Sequence, residues 1–329
     1  MTATERVTAT ERATERTTEV APTVTGPPAG PLRSAVVINP SKVEDLEGRR
    51  HDICAALAEE GWPAPLWLET TPDDPGCGQT QQAINEGVDL VFACGGDGTV
   101  MACVGALAGT DVALAVLPSG TGNLLAANLG LSSDVVEGIA VATRGARRRI
   151  DVGVVENRTF AVMAGIGFDA EMLRSTPEPL KRRFGWPAYA FSALKHLRTR
   201  PMRVSISLDG ATNLRRRAKS VLVGNVGRIQ GGIPLLPDAQ PDDGYLDVAI
   251  LSPRTLTGWV SLAWGVVRRK HGPAPIETYR AKRVEITADR VYQRELDGDV
   301  INAGRSMVVD IRANALTLCV PSPEPDMSA

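Results

Sequence analysis

The chain has 329 residues, 43% hydrophobic and 22% charged, enough apolar material for two domains of ordinary size. Lys plus Arg number 36 against 38 Asp plus Glu, a net charge of −2, which argues against a globally basic nucleic-acid binder. Five cysteines without a Cys-x-x-Cys pair and three scattered histidines disfavour a zinc site or a disulfide framework and suit a reducing, cytosolic compartment.

Residues 1–30 stand apart. Thr-Ala-Thr-Glu-Arg occurs at 2–6 and again at 8–12, Ala-Thr-Glu-Arg follows at 13–16, and a Pro/Gly-rich stretch runs to Gly30. With few large apolar side chains to offset its ordering entropy, this segment is expected to be a disordered tail, a short Glu/Arg-paired helix being the alternative. It lacks the apolar core of a signal peptide. The longest uncharged run, Val112 to Ser133, contains Pro118, Asn123 and Asn128 and reads as strand–loop–helix, so no membrane span is expected.

From Ala35 the pattern alternates. Ala35–Ile38, Leu66–Leu68, Leu90–Cys94 and Val112–Leu117 are continuous apolar runs, as in strands covered on both faces. Leu46, Ile53 and Leu57, and then Val100, Val104 and Leu107, lie at helical spacing between them. Such alternation predicts a parallel sheet whose ligands sit beyond the carboxyl ends of the strands. After the basic run Arg144–Arg149, short strands are expected at Ile150–Val155, Thr159–Ala164, Val204–Leu208, Ser220–Val223, Leu246–Leu251 and Val284–Ile286, with helices near 186–198 and 255–270. That texture predicts a mainly antiparallel second domain.

Two loops carry the chemistry. Gly95-Gly96-Asp97-Gly98-Thr99 sits where a strand ends and a helix begins, so its glycines let backbone N–H groups approach an anion while Thr99 offers a hydroxyl. Asp97, a carboxylate among groups suited to phosphate, fits a Mg²⁺ or a transferring proton; the bland alternative is the N-cap of a tight turn. Pro118-Ser119-Gly120-Thr121-Gly122-Asn123 follows the next strand and precedes a helix at Leu124–Leu129. Two such loops after consecutive parallel strands predict a nucleotide across one sheet edge. Asn39-Pro40-Ser41-Lys42 and Thr70-Thr71 are placed to close the same pocket. The chain has no G-x-x-x-x-G-K-[ST]. Gly165-Ile166-Gly167-Phe168-Asp169-Ala170 mimics a dinucleotide fingerprint, but no acid follows between Glu178 and Asp209 to take a ribose.

With these residues in view, the chain resembles the diacylglycerol kinase catalytic-domain family, which includes bacterial lipid kinases and sphingosine kinases. The resemblance runs from Asn39–Lys42 through both glycine loops, Ala164–Ala170 and Pro237–Asp247 to Leu296-Asp297-Gly298-Asp299. It implies a fold of α/β plus β: an N-terminal ATP-binding domain with a parallel sheet over 31–146 and a C-terminal, mainly antiparallel β-sandwich domain for the lipid over 147–321. The last segment would return to the first domain, and 322–329 would form a tail. It implies ATP contacts at Asn39, Pro40, Ser41, Lys42, Val43, Thr70 or Thr71, Gly95, Gly96, Asp97, Gly98, Thr99, Val100, Gly120, Thr121 and Asn123. Asp97 would lie near the phosphates and a catalytic Mg²⁺. A structural Mg²⁺ would take the Asp243 carboxylate and the carbonyls of Gln240 and Tyr245; read alone, Pro241–Gly244 is a turn with a metal as the alternative.

The family's Asp-Gly-Glu appears here as Asp297-Gly298-Asp299, which withdraws the final carboxylate by roughly 1.5 Å, one C–C bond. Either the backbone compensates, or Asp297 or Asp97 shares the role of proton acceptor with Asp299. The implied reaction is ATP-dependent phosphorylation of a lipid alcohol, diacylglycerol first. A sphingoid base or another glycerolipid, an NAD kinase activity and an inactive nucleotide or lipid sensor are the alternatives. The enzyme is expected to be cytoplasmic and to dock on anionic membranes through Lys181-Arg182-Arg183-Phe184-Gly185-Trp186 and the aromatics that follow, with Trp259, Trp264 and Arg268–Lys270 as a second contact.

Overall fold

The computed structural model describes residues 23–120, 122–167, 200–229, 233–252 and 276–322. Thr121, Phe168–Ala170, the basic and aromatic stretch 181–199, both expected helices (186–198 and 255–270) and most of the two tails lie outside the described residues.

Strands β1 (Val24–Thr25), β2 (Ser34–Ile38), β3 (Leu66–Glu69), β4 (Leu90–Gly95) and β5 (Ala113–Pro118) alternate with helices α1 (Leu46–Glu59), α2 (Cys77–Asn85), α3 (Asp97–Leu107), α4 (Leu124–Leu129) and α5 (Val135–Arg144). The sheet runs β5-β4-β2-β3, every pair parallel. All residues of β2, β4 and β5 are buried because helices cover both faces. Val100, Cys103, Val104 and Leu107 of α3 pack on one face, and Ile53, Ala56 and Leu57 of α1 with Ile139 and Ala142 of α5 pack on the other. Side-chain caps fix two helix starts: Asp45 accepts from the Gly48 N–H (2.8 Å) and Asp134 from the Glu137 N–H (2.9 Å).

The remainder is β6 (Ala146–Val155), β7 (Arg158–Phe160), β8 (Met163–Ile166), β9 (Met202–Leu208), β10 (Thr212–Ala218), β11 (Ser220–Gly224), β12 (Arg228–Ile229), β13 (Ile233–Pro234), β14 (Leu246–Leu251), β15 (Ile276–Ala281), β16 (Arg283–Leu296) and β17 (Asp299–Val320). Antiparallel pairing gives the order β15-β14-β11-β8-β16, and β9, with β10 outside it, pairs the first half of β16. The two ends of this array, β10 and β15, meet through side chains: Arg216 donates to Glu277 (2.8 and 3.0 Å) and to the Tyr279 hydroxyl (3.3 Å). Inside lie Ile166, Val204, Ile206, Val223, Val248, Ile286 and Met307. The sandwich-like C-terminal unit is thus built around its own core.

β17 joins the two units, pairing β16, then β6, and finally β5 in parallel at Leu318–Leu114. Val24 and Thr25 pair Arg148 and Arg147 of β6, so part of the segment expected to be a tail is a strand. The single strand expected over Thr159–Ala164 is two, because the N–H groups of Ala161, Val162 and Met163 turn away from the ladder to one carboxylate, that of Asp297.

Candidate active site

The glycine loops meet at the carboxyl ends of β4 and β5. A Cβ on Gly120 would stand 2.7 Å from the Gly96 Cα, so the two backbones touch and glycine is required there. Ser119 N–H donates to the Gly95 carbonyl (2.9 Å), extending the β4–β5 pairing into the loops. Asp97 fastens the junction: its Oδ2 accepts from the Asn123 N–H (2.9 Å) and its Oδ1 from the Leu124 N–H (2.6 Å). It is therefore not the N-cap of its own helix. It occupies the first turn of α3 and pins the start of α4 across the sheet edge. A Cβ on Gly122 would lie 2.4 Å from Asp97 Oδ2, which explains that glycine.

Asn123 takes a left-handed backbone (φ 46°) and closes the loop with its side chain, donating to the Gly120 carbonyl (2.6 Å). Asn39, after β2, accepts from Ser41 N–H (3.0 Å) and Ser41 Oγ (2.7 Å) and donates to Thr99 Oγ1 (3.4 Å). Pro40–Lys42 form one 3₁₀ turn that ends at Val43, and Thr70 and Thr71 follow β3. Asn39–Val43, Thr70 and Thr71 thus share the sheet edge with both glycine loops.

Two candidate roles change. Thr99 is 2% exposed beneath Gly95, so its hydroxyl orders Asn39 and is no open donor. Val100 is a core residue whose N–H is taken by the Gly96 carbonyl within α3, so it offers no free N–H to a ligand.

The carboxylates of the second unit arrive from far along the chain. Asp297 (φ 50°) and Gly298 (φ 89°) are the central pair of a two-residue hairpin closed by Leu296 opposite Asp299. Left-handed backbone at both positions is the type I′ geometry for which Asp-Gly is preferred. The Asp297 carboxylate accepts from Ala161, Val162 and Met163 at 3.0, 2.9 and 2.8 Å. Burial pushes its carboxyl up to about 7 against those three donors, and the negative charge of Asp97 adds to the rise. Asp297 is thereby a buried anchor, whereas Asp299 is exposed at the first position of β17.

Glu295, two residues earlier, is 2% exposed, and its Oε2 has no hydrogen-bond partner. Burial and then Asp297 push it up to about 7. Its side chain lies across Gly165, where a Cβ would come within 2.9 Å of Oε1. In the sequence Glu295 is marked only by its two-residue offset from Asp297.

The Gln240–Tyr245 loop is clamped to β6. Asp151 accepts from Gly244 and Asn314 N–H groups at 2.7 Å each, and Arg148 grips Asp242 through two hydrogen bonds of 2.7 and 2.8 Å. Asp243 accepts from the Tyr245 N–H (2.9 Å) and from Arg280, which also stacks over the Tyr245 ring. Asp247 faces Arg280 across β14–β15; its Oδ2 is buried without a partner, and burial lifts its pKa to about 6. Two carboxylates, Asp243 and Asp247, thus face one guanidinium. A carboxylate pair with an orphaned buried oxygen is compatible with a hard divalent cation such as Mg²⁺. Among the described residues no cluster of three or more His, Cys, Asp or Glu is poised to hold a metal by side chains alone.

The model of the diacylglycerol kinase catalytic domain matches residues 33–155, and that of the YegS C-terminal NAD kinase beta sandwich-like domain matches 161–320. A probable lipid kinase YegS-like of Pseudomonas putida is 31% identical over 251 residues, 75% of this chain and 82% of that one. The chain belongs to the diacylglycerol kinase catalytic-domain family. A diacylglycerol kinase of Bacillus subtilis is 28% identical over 274 residues, 81% of this chain and 89% of that one. A crystal structure of a putative diacylglycerol kinase from Bacillus anthracis shares the fold, with a TM-score of 0.72 at 24% identity, covering 88% of this chain and 95% of the other.

Proposed function

We propose that this family member is a lipid kinase that transfers the γ-phosphoryl group of ATP to the free hydroxyl of diacylglycerol, giving phosphatidic acid. The observation that carries the reading is the backbone contact of Gly96 with Gly120, locked by Asp97, at the carboxyl edge of a parallel sheet. A phosphate chain needs N–H donors and close approach rather than bulk, and that edge is built of glycine. Gly95–Gly98, Gly120, Asn123 and the Asn39–Val43 turn would bind and orient ATP. The Asp243 carboxylate with the Gln240 and Tyr245 carbonyls would hold a structural Mg²⁺, and a second Mg²⁺ at the phosphates would supply charge neutralisation when bound.

In the transfer, the acceptor oxygen bonds to the γ-phosphorus as the bond to the ADP oxygen breaks, and the hydroxyl proton passes to a carboxylate. Asp299 is assigned that role, because it is exposed beside the hairpin while three N–H groups occupy Asp297. Asp297 then fixes where Asp299 starts.

The enzyme would act from the cytoplasmic side as a peripheral protein. No helix among the described residues is long and apolar enough to cross a membrane, and all five cysteines are free thiols. The test is incubation with ATP and Mg²⁺ and, separately, dispersed diacylglycerol, a sphingoid base and NAD, with products identified by mass spectrometry. Phosphatidic acid is expected. Phosphorylated NAD or sphingoid base without it would replace the acceptor, and no product from any acceptor would favour a binding protein.

A further inference from the structure

Arg215, Arg216 and Arg217 are consecutive on β10, whose one strand partner among the described residues is β9. Strand alternation sends them to opposite faces. Arg216 points inward to Glu277 and Tyr279, closing the C-terminal unit. Arg215 and Arg217 point outward and are exposed, as is Arg203, which stands directly opposite Arg217 on β9. Among the described residues none of these three guanidinium groups has an ion-pair partner.

Two like charges directly opposed across a strand pair destabilise it. Protecting an edge from aggregation needs charge of either sign and does not call for an opposed pair of cations. Of the two acids nearby, Glu285 is paired with a cation and Asp289 keeps its charge. Asp289 accepts from the Tyr292 hydroxyl (3.0 Å) and from the Arg203 backbone N–H, and Glu285 is held by Arg283 at 2.9 Å. Arg215, Arg217 and Arg203 instead rim an open depression of about 700 Å³ floored by Ser205 and Thr287. Asp289 lines the same depression, so three exposed arginines there face one carboxylate, and a chain of net charge −2 carries a net positive patch on this sheet face.

We propose that this β9–β10 face docks the enzyme on an anionic phospholipid surface, with Arg203, Arg215 and Arg217 reaching the phosphates of the headgroups. The choice of a membrane over another polyanion rests on the lipid-kinase reading above, since diacylglycerol has to be met in a bilayer. Guanidinium groups suit phosphate oxygens because they offer paired N–H donors and shed water readily. Opposed cations that repel in the free protein lose that penalty when phosphates lie between them.

The experiment is co-sedimentation of the full chain with vesicles of phosphatidylcholine alone and with phosphatidylglycerol added, at low and physiological salt. The comparison protein carries Arg203→Ser, Arg215→Ser and Arg217→Ser together; the exposed positions leave both cores intact. Each cation near an anionic surface contributes about five-fold, so the triple variant is expected to lose on the order of 100-fold in partitioning at low salt, and less when salt screens the charges. Equal binding by the variant, equal binding of the parent protein to neutral vesicles, or tighter binding to a duplex oligonucleotide than to anionic vesicles would overturn the proposal. Turnover of a short-chain, water-dispersed diacylglycerol is measured in parallel and is expected to be unchanged in the variant. If neither protein phosphorylates it while charge-dependent vesicle binding persists, the kinase reading fails and the docking face stands.

Discussion

The parallel sheet at the N-terminal end and the antiparallel array at the C-terminal end build their halves of the site in opposite ways. At the carboxyl edge of β4 and β5 every functional group lies within a few residues of the strand that positions it, and Asp97 reaches only as far as Leu124. At the Asp297 hairpin the anchor depends on N–H groups of residues 161–163, between 134 and 136 residues earlier in the chain. Local loops make a phosphate cradle that survives as a sequence motif. Long-range pairing makes a carboxylate site whose geometry is set by which strands happen to be neighbours. Damage to the first should therefore act mainly on nucleotide handling, and damage to the second on the acceptor and on stability.

The largest effect is expected from Asp97→Asn. It removes the charge at the phosphate edge and one of two acceptors pinning α4, so turnover should fall by about 100-fold or more and ATP binding should weaken as well. Steady-state kinetics with ATP titration checks this. Turnover within about threefold of the parent would separate Asp97 from the chemistry and leave it a structural staple.

Next, Asp299→Ala should lower turnover by about 10²-fold while ATP affinity stays unchanged, as loss of a proton acceptor predicts. Asp299→Glu, which restores the family's side-chain length, should match or exceed the parent. An active alanine variant would move the role to another carboxylate and weaken the division of labour between the two units.

Glu295 and Asp297, each raised to about 7, and Asp247, raised to about 6, hold protons more tightly folded than unfolded. Their stabilisation is fully present below the unfolded carboxyl range near pH 4 and is lost as pH rises through about 7. Glu295→Gln removes one of these groups without removing bulk. Its melting temperature should fall less between pH 5 and pH 8 than the parent's, leaving it about 2–5 °C more stable at pH 8, on the order of 1–2 kcal/mol. Parallel thermal melts at the two pH values decide it. A variant less stable at both would mean that the buried carboxylate makes a bond the folded state needs.

The smallest effect belongs to the N-terminal end. Deleting residues 1–22 should leave the melting temperature unchanged. Deleting 1–30 removes the β1 pairing with Arg147 and Arg148 and the bond from Arg149 N–H to the Thr23 carbonyl, so it should cost about 1–3 °C. Identical melts for the two truncations would show that β1 adds nothing.

Legibility in the sequence followed the distance over which each interaction acts. The apolar runs at β2, β4 and β5 and the glycine loops were readable because burial on both faces and close backbone approach leave a local signature. β10 and β15 have no continuous apolar run to mark them: Thr212–Ala218 carries three arginines, and Ile276–Ala281 mixes Glu277, Thr278 and Arg280 with its apolar residues at a sheet end. The Asp-Gly pair at 297–298 was read as chemistry alone, yet it is also the strongest short hairpin signal a sequence offers. Glu295 was passed over because nothing adjacent in the chain shows it buried.

The sequence by itself determined the four parallel strands and the helices α1, α3 and α4 of the first unit, the antiparallel character of the second, and the two loops suited to phosphate, since periodicity and glycine act within a few residues. Only the tertiary structure decided that Asp97 pins the neighbouring helix rather than its own, that Asp297 is a buried anchor and Asp299 an open carboxylate, and that Arg216 closes a core while Arg215 and Arg217 face outward. Those outcomes depend on which strand lies beside which, and on how much water each charge keeps, and burial of that kind is a property of the packed chain rather than of any segment of it.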